Sequence, residues 1–216
     1  MAILFDGRLS AGGFGVYNRV DIAPGSSDVP PLNEEYYERV LDPIGGARYV
    51  AKLTAYSGAP GRCEMRPSVE DPPGPGPEYG TRWFYFETLF YDWQIDRSSS
   101  VTASISSKLG DARDMIAQLH DTADVGDTTH QPPFMLAVEG ERIYFYTSYD
   151  TSATTVATAP NLRVLQSFPL DRGRWIKWAL HIKYTINNDG FMHLYKDRRK
   201  VYSVTATPTA YNDAVG

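Results

Sequence analysis

An antiparallel β-sandwich of the jelly-roll kind is the fold that this chain of 216 residues predicts. Three observations predict it. Helical periodicity is nearly absent, short runs rich in aromatic and β-branched residues recur along the chain, and turn residues separate those runs at close intervals. Roughly ten such runs with no helical crossovers between them describe stacked antiparallel sheets.

Strands are expected at residues 15–20, 47–55, 61–66, 81–93, 114–120, 133–139, 142–149, 162–168, 174–185, 191–196 and 200–206. The punctuation between the later ones is explicit: Glu139-Gly140-Glu141, Asp171-Arg172-Gly173, Asn187-Asn188-Asp189-Gly190 and Lys196-Asp197-Arg198, all residue types that bend a chain. The best helical candidate is residues 33–40, about two turns with Asn33 able to cap its start. Residues 70–79, EDPPGPGPEY, must form a loop, and the Ser-rich residues 96–111 form a long polar excursion over one face. Either segment could rim a groove.

Residues 82–93 are apolar on both faces, which predicts a strand in the middle of the sandwich. Trp175, Trp178 and Ile182 mark a second core strand, with Lys177, His181 and Lys183 on the opposite parity from Trp178. His181 and His193 read as structural histidines, and His130 as a loop residue without a role. Arg198-Arg199-Lys200 reads as a solvated hairpin turn.

The length suits a single domain, residues 1–216. Apolar residues at 42% and charged residues at 22% describe a globular chain rather than a disordered one. A formal charge of −5 argues against a general nucleic-acid binder, which needs a concentrated basic surface. The lone cysteine, Cys63, cannot close an internal disulfide and is expected in the core beside Met65. Residues 1–10 carry no basic n-region, and no stretch approaches the length of a membrane span. The expected setting is extracellular or virion-associated without a signal peptide, as for a phage structural protein released by lysis. Four scattered histidines supply no zinc spacing, and neither a calcium loop nor a phosphate loop is present, so no metal site is expected.

Two strand-like patterns carry the chemistry. In Arg62-Cys63-Glu64-Met65-Arg66 the charged residues share one face of an extended strand, and in Gln118-Leu119-His120 the amide and the imidazole do the same. If neighbouring, they would line a groove suited to a uronic acid. An arginine fork matches a carboxylate, and an imidazole titrating near ~6.5 can take a proton at neutral pH. Without further context, a surface ion-pair ladder and a solvent-facing polar pair account for the same residues.

With those motifs in that order, the chain resembles the jelly-roll polysaccharide lyases, the alginate-lyase and heparin-lyase-like group with a concanavalin-like sandwich. Arg62-Cys63-Glu64-Met65-Arg66 is similar to its R-x-E-x-R signature, and Gln118-Leu119-His120 to its Q-x-H signature. The aromatic run 82–93, Gln131-Pro132-Pro133-Phe134-Met135-Leu136, Gly173-Arg174-Trp175 and the hairpin after Asn188-Asp189-Gly190 extend the likeness over residues 47–212. The resemblance implies β-elimination on an acidic polysaccharide, with Arg62 and Gln118 offsetting the carboxylate, His120 removing the C5 proton and no cofactor. Glu64, Arg66, Tyr144 and Tyr146 are the substrate-binding candidates.

A third signature of the group, Tyr-x-Lys-x-Gly-x-Tyr after a sequence similar to Tyr211-Asn212-Asp213, is not met before Gly216. It carries the tyrosine that protonates the leaving oxygen, so the expectations are that Tyr144, Tyr146, Tyr195 or Tyr202 substitutes, that the chain is shortened and lacks its final strand, or that a neighbouring subunit supplies that strand. The competing expectation is a non-catalytic glycan-binding or structural module of a virus particle built on the same sandwich. Its partners would be other copies of the chain or virion components.

Overall fold

Strand-forming residues at alternating positions generate an all-β structure. The computed structural model describes residues 17–22, 27–28, 37–45, 48–53, 63–67, 80–90, 114–119, 125–158 and 160–212, and among them there is no helix. The chain divides into two compact units, Met1–Pro73 and Gly74–Gly216.

In the first unit, β1 (Tyr17–Ile22) lies between β2 (Ser27–Asp28) and, after two further strands, β5 (Cys63–Pro67), all antiparallel. The two further strands, β3 (Tyr37–Leu41) and β4 (Tyr49–Leu53), pair with each other and, among the described residues, with no third strand. This corrects the helix expected at residues 33–40. Tyr37, Val40 and Leu41 pair with Leu53, Val50 and Tyr49, and a two-turn helix has too few internal hydrogen bonds to compete with such a ladder. Asp42 closes the turn that follows, its carboxylate accepting from the Ile44 amide at 3.1 Å and the Arg48 guanidinium at 3.0 Å.

The second unit is a sandwich of two four-stranded sheets. One contains β7 (Asp114–Leu119), β8 (Phe134–Glu139), β9 (Arg142–Thr147) and β10 (Arg163–Pro169), in the order β10-β9-β8-β7. The other contains β6 (Gly80–Leu89), β11 (Trp175–Tyr184), β12 (Phe191–Lys196) and β13 (Arg199–Thr205), in the order β13-β12-β11-β6. Every second residue of β11 (Ile176, Trp178, Leu180, Ile182) enters a shared core with Phe134, Leu136, Val138, Ile143 and Phe145 of the facing sheet. Phe84 and Phe86 of β6 pack onto the same core. At roughly 25 cal/mol per Å2 of apolar surface removed from water, each of these side chains stabilises the fold by about 1.5–3 kcal/mol.

The strand placed mid-sandwich from its sequence, β6, is a terminal strand among the described residues and is buried on one side only. Its other aromatic parity, Trp83 and Tyr85, faces away from the core, and Tyr85 is 67% exposed. His130, read as a plain loop residue, is buried, with its ring stacked on Tyr211 at 3.8 Å. The Tyr211 hydroxyl lies 2.6 Å from Ser148 Oγ and donates to the Gln131 carbonyl at 2.8 Å, tying the segment after β13 to the loop before β8. The expected loops at residues 70–79 and 96–111 lie outside the described residues, as do the side chains of Cys63 and Met65.

An ionic cluster ties the ends of β11 and β12. Asp171 accepts from Arg174 and, at 2.9 Å, from Lys196, while Arg174 also reaches Asp197 at 2.8 Å. These cations hold the Asp171 carboxyl below its ordinary range despite partial burial. Lys196 meanwhile lies over the Phe168 and Trp178 rings at 5.6 and 5.9 Å.

Gly190, where the chain enters β12, is sterically constrained. A Cβ there would lie 2.3 Å from the Thr207 carbonyl oxygen and 2.8 Å from a Thr185 methyl. Gly190→Ala is therefore expected to lower the unfolding free energy by about 1–3 kcal/mol, read from the urea midpoint. An unchanged midpoint would mean that the 206–209 segment gives way without cost.

Candidate functional site

The outer face of the β7–β10 sheet follows from its register. On β7, Ala117 and Leu119 pair with the core residues Leu136 and Phe134 and pack inward themselves, so Gln118 between them turns outward. A β-bulge between Met115 and Ala117 sends Ile116 inward as well, the local twist expected where one strand carries an extra residue. Gln118 is opposite Met135, and Met135 is opposite Tyr146, which makes one row across three strands. Tyr144, two residues before Tyr146, lies on the same face.

This face has a small apolar floor. Met135, Ala137 and Tyr146 are buried together, with Tyr144 and Leu162 packed at their margin. The rings of Tyr144 and Tyr146 have centroids 5.9 Å apart and planes 32° apart. Gln118 and Tyr144 are both half-buried. Arg142, two residues before Tyr144, shares its parity and is exposed. Its guanidinium is held by two donations to Ser167 Oγ, at 2.7 and 3.3 Å. Sequence reasoning missed this arginine, although the alternation Arg142-Ile143-Tyr144-Phe145-Tyr146 contains the signal: both tyrosines and the arginine are odd-numbered steps of one strand.

The structure thus brings Gln118, Tyr144 and Tyr146 together. Tyr195 and Tyr202 are elsewhere. Tyr195 is on the outer side of the opposite sheet, and Tyr202 faces the core, edge-on to Phe145 at 5.3 Å, where burial pushes its hydroxyl pKa up. Glu64 and Arg66 stand on β5 of the first unit, opposite Asp21 and Arg19 of β1. Arg62 and His120 lie outside the described residues. Among the described residues no group of three His, Cys, Asp or Glu side chains is arranged to hold a metal ion, and no helix is long and apolar enough to cross a membrane.

A family model described as polysaccharide lyase matches residues 33–215, most of the chain. The protein belongs to the polysaccharide lyase family. Among solved structures it is similar to an endo-beta-1,4-glucuronan lyase from the fungus Trichoderma reesei, with 17% identity and a TM-score of 0.48. That match covers 63% of this chain and 53% of the fungal one, so the chain spans about half the length of that enzyme. No curated protein matches it.

The opposite sheet of this family member holds the two histidines read as structural. His181 stacks on Trp83, with centroids 4.0 Å and planes 5° apart, and His193 lies 5.7 Å away beside Phe191. Burial lowers both pKa values, assisted by the Lys200 charge and, for His193, by His181. A lowered folded-state value means that the unfolded chain binds protons first. Stability should therefore fall as pH drops through ~6.5 toward the folded-state values, above the range where carboxylates titrate. Denaturation midpoints across that window should slope for the parent and flatten for the His181→Gln, His193→Gln double variant; equal slopes would exclude these rings as the cause.

Proposed function

We propose that the protein engages an acidic polysaccharide along the outer face of the β7–β10 sheet and cleaves it by β-elimination at a uronic acid. The row joining Gln118 to Tyr146, with Tyr144 beside it, supports this reading most directly. It gathers an amide donor and a phenol on one face of a sandwich whose family acts on polysaccharides.

The C5 proton of a uronate becomes removable when donors hold its carboxylate, because the charge left at C5 spreads into that group. The Gln118 amide and the Arg62 guanidinium would supply those donors. His120 follows Gln118 by two residues, the period that returns a strand side chain to the same face, and its imidazole would accept the proton. The C–H electron pair then forms the C4–C5 double bond as the C4–O bond breaks. Tyr144 is the phenol best placed to protonate the departing oxygen: it shares Gln118's face and is half-buried, whereas Tyr146 is 1% exposed. The family likeness assigns carboxylate binding to Glu64 and Arg66 as well. Arg142 stands two residues from Tyr144 on β9, about 7 Å along the strand, a distance that suits the carboxylate of a neighbouring sugar. An extracellular or virion-associated setting would bring such a protein to its polymer.

Glucuronan, alginate and heparin offered separately should reveal the substrate through ultraviolet absorbance of the unsaturated uronate. Gln118→Ala and His120→Ala are each expected to slow its appearance by about 10²-fold or more, and Tyr144→Phe to slow it without abolishing binding. Binding with no unsaturated product would overturn the elimination and identify a non-catalytic glycan-binding module, such as a virion appendage.

A further inference from the structure

The sheet opposite Gln118 turns its own second face outward, and the elimination uses none of it. Across its middle Tyr85, Ala179, Tyr195 and Lys200 are paired, one from each strand. Trp83, His181 and His193 form the next row, and Lys177 with Glu87 the row on the other side. Ala179 is the one small side chain among these rings. It leaves a hollow of about 330 Å3 lined by Trp83, Tyr85, Lys177, Trp178, Ala179, Tyr195 and Arg198.

Two strand spacings separate the walls, so the Tyr85 and Tyr195 backbones stand about 9.6 Å apart. Trp83 lies against both walls, parallel to Tyr85 at 5.8 Å and tilted to Tyr195 at 5.7 Å, with its other contact the stacked His181, and it forms the end against which a pyranose ring over Ala179 would rest. None of this aromatic surface is needed by the core, which takes the alternate residues Phe84, Phe86, Trp178 and Leu180.

Arg198 is a separate observation. Asp197 and Arg198 form the two-residue turn between β12 and β13, both in the left-handed region with φ of 49° and 68°. Turns of this kind favour Gly or Asn. Asp197 is accounted for, since its carboxylate accepts from the Lys177 amide at 3.0 Å and from Arg174. Arg198 makes no such bond among the described residues; it is exposed at the rim of the hollow, in a conformation that costs an L-residue with a side chain. Lys200 reaches over the Tyr195 ring at 5.7 Å. Glu87 on the same face is matched by Lys177 at 3.7 Å, which leaves Arg198 and Lys200 to answer an incoming anion.

We infer that this hollow is a second glycan-binding site, which stacks one sugar of a carboxylate-bearing polysaccharide between Tyr85 and Tyr195 while Arg198 and Lys200 hold its carboxylate. Aromatic faces take the C–H side of the sugar, and the cations select the acidic chain over a neutral one. The site stands on its own chemistry and does not require the opposite sheet to be catalytic.

Calorimetric titration of the full chain with a glucuronan oligomer, in a Gln118→Ala background, tests it. Binding is expected to persist there and to weaken about tenfold on adding either Tyr85→Ala or Arg198→Gly, the effect of losing one charge-assisted or desolvated contact. Arg198→Gly should unfold no earlier than its parent, because glycine is at home in that turn, so a weaker complex would report the lost cation. Loss of all binding on Gln118→Ala alone, undiminished binding by both added variants, or equal affinity for a neutral glucan oligomer would each overturn the inference. Since the readout is binding, absence of unsaturated product would sink the elimination and leave this result standing.

Discussion

The register of β11 is the constraint on which both faces of the sandwich depend. Its residues alternate between core and surface, and a slip of one position would bury Lys177, His181 and Lys183 while exposing Ile176, Trp178, Leu180 and Ile182. Exposing four large apolar side chains at about 1.5–3 kcal/mol each would cost as much as the whole stability of a typical domain. Two polar contacts support the same register: the Trp178 indole donates to Thr88 Oγ1 at 3.0 Å, and the Asp197 amide to the Lys177 carbonyl at 2.7 Å. With β11 fixed, Ala179 has to lie between Tyr85 and Tyr195, and His181 against Trp83.

The facing sheet is set from its other side. Leu136 and Phe134 fill the core opposite β11, so Met135 must point away, and Gln118 and Tyr146 with it. Packing therefore puts the amide on the same face as the phenols. The consequence for chemistry is that the two phenols project from β9, a central strand of a close-packed layer where backbone positions are tightly held, and Gln118 from β7, which ends that layer among the described residues. A groove built on loops would not hold a uronate carboxylate and a proton donor in one geometry so firmly.

Much of this was legible in the sequence because it is a matter of period. Turn residues around Gly140 and Gly190 delimit strands within a residue or two of where they lie, and the parity of Trp178 against Lys177 and His181 correctly separates the two sides of β11. What was not legible has physical causes. Tyr37 and Val40 sit in a short segment whose pattern fits a helix turn as well as a strand, and only pairing with β4 decides. The run from Arg82 to Phe90 has two apolar parities, which reads as burial on both sides, whereas in the structure Phe84 and Phe86 pack on the core and Tyr85 stays exposed. His130 has no local signature because its burial depends on Tyr211, eighty residues further on. Arg142 was passed over because a hairpin arginine looks solvated until Ser167 on the next strand is seen to hold it.

Net charge sharpens what either face must do. A protein of formal charge −5 repels a polyanion at long range, and within about 10 Å at ordinary ionic strength only local groups count. Recognition must then rest on cations fixed in place near apolar surface, where water screens them less. Arg142 is fixed by Ser167, and the backbone of Arg198 by the turn that Asp197 anchors to β11. Arg198 lines its hollow with Tyr85 and Tyr195, and Arg142 shares the parity of Tyr144 and Tyr146 on β9. On the reading proposed above this arrangement discriminates: a nucleic acid, which binds by displacing many counterions along an extended basic track, gains little from a few cations set beside rings, while a uronate chain carries a carboxylate and a stacking surface on the same sugar.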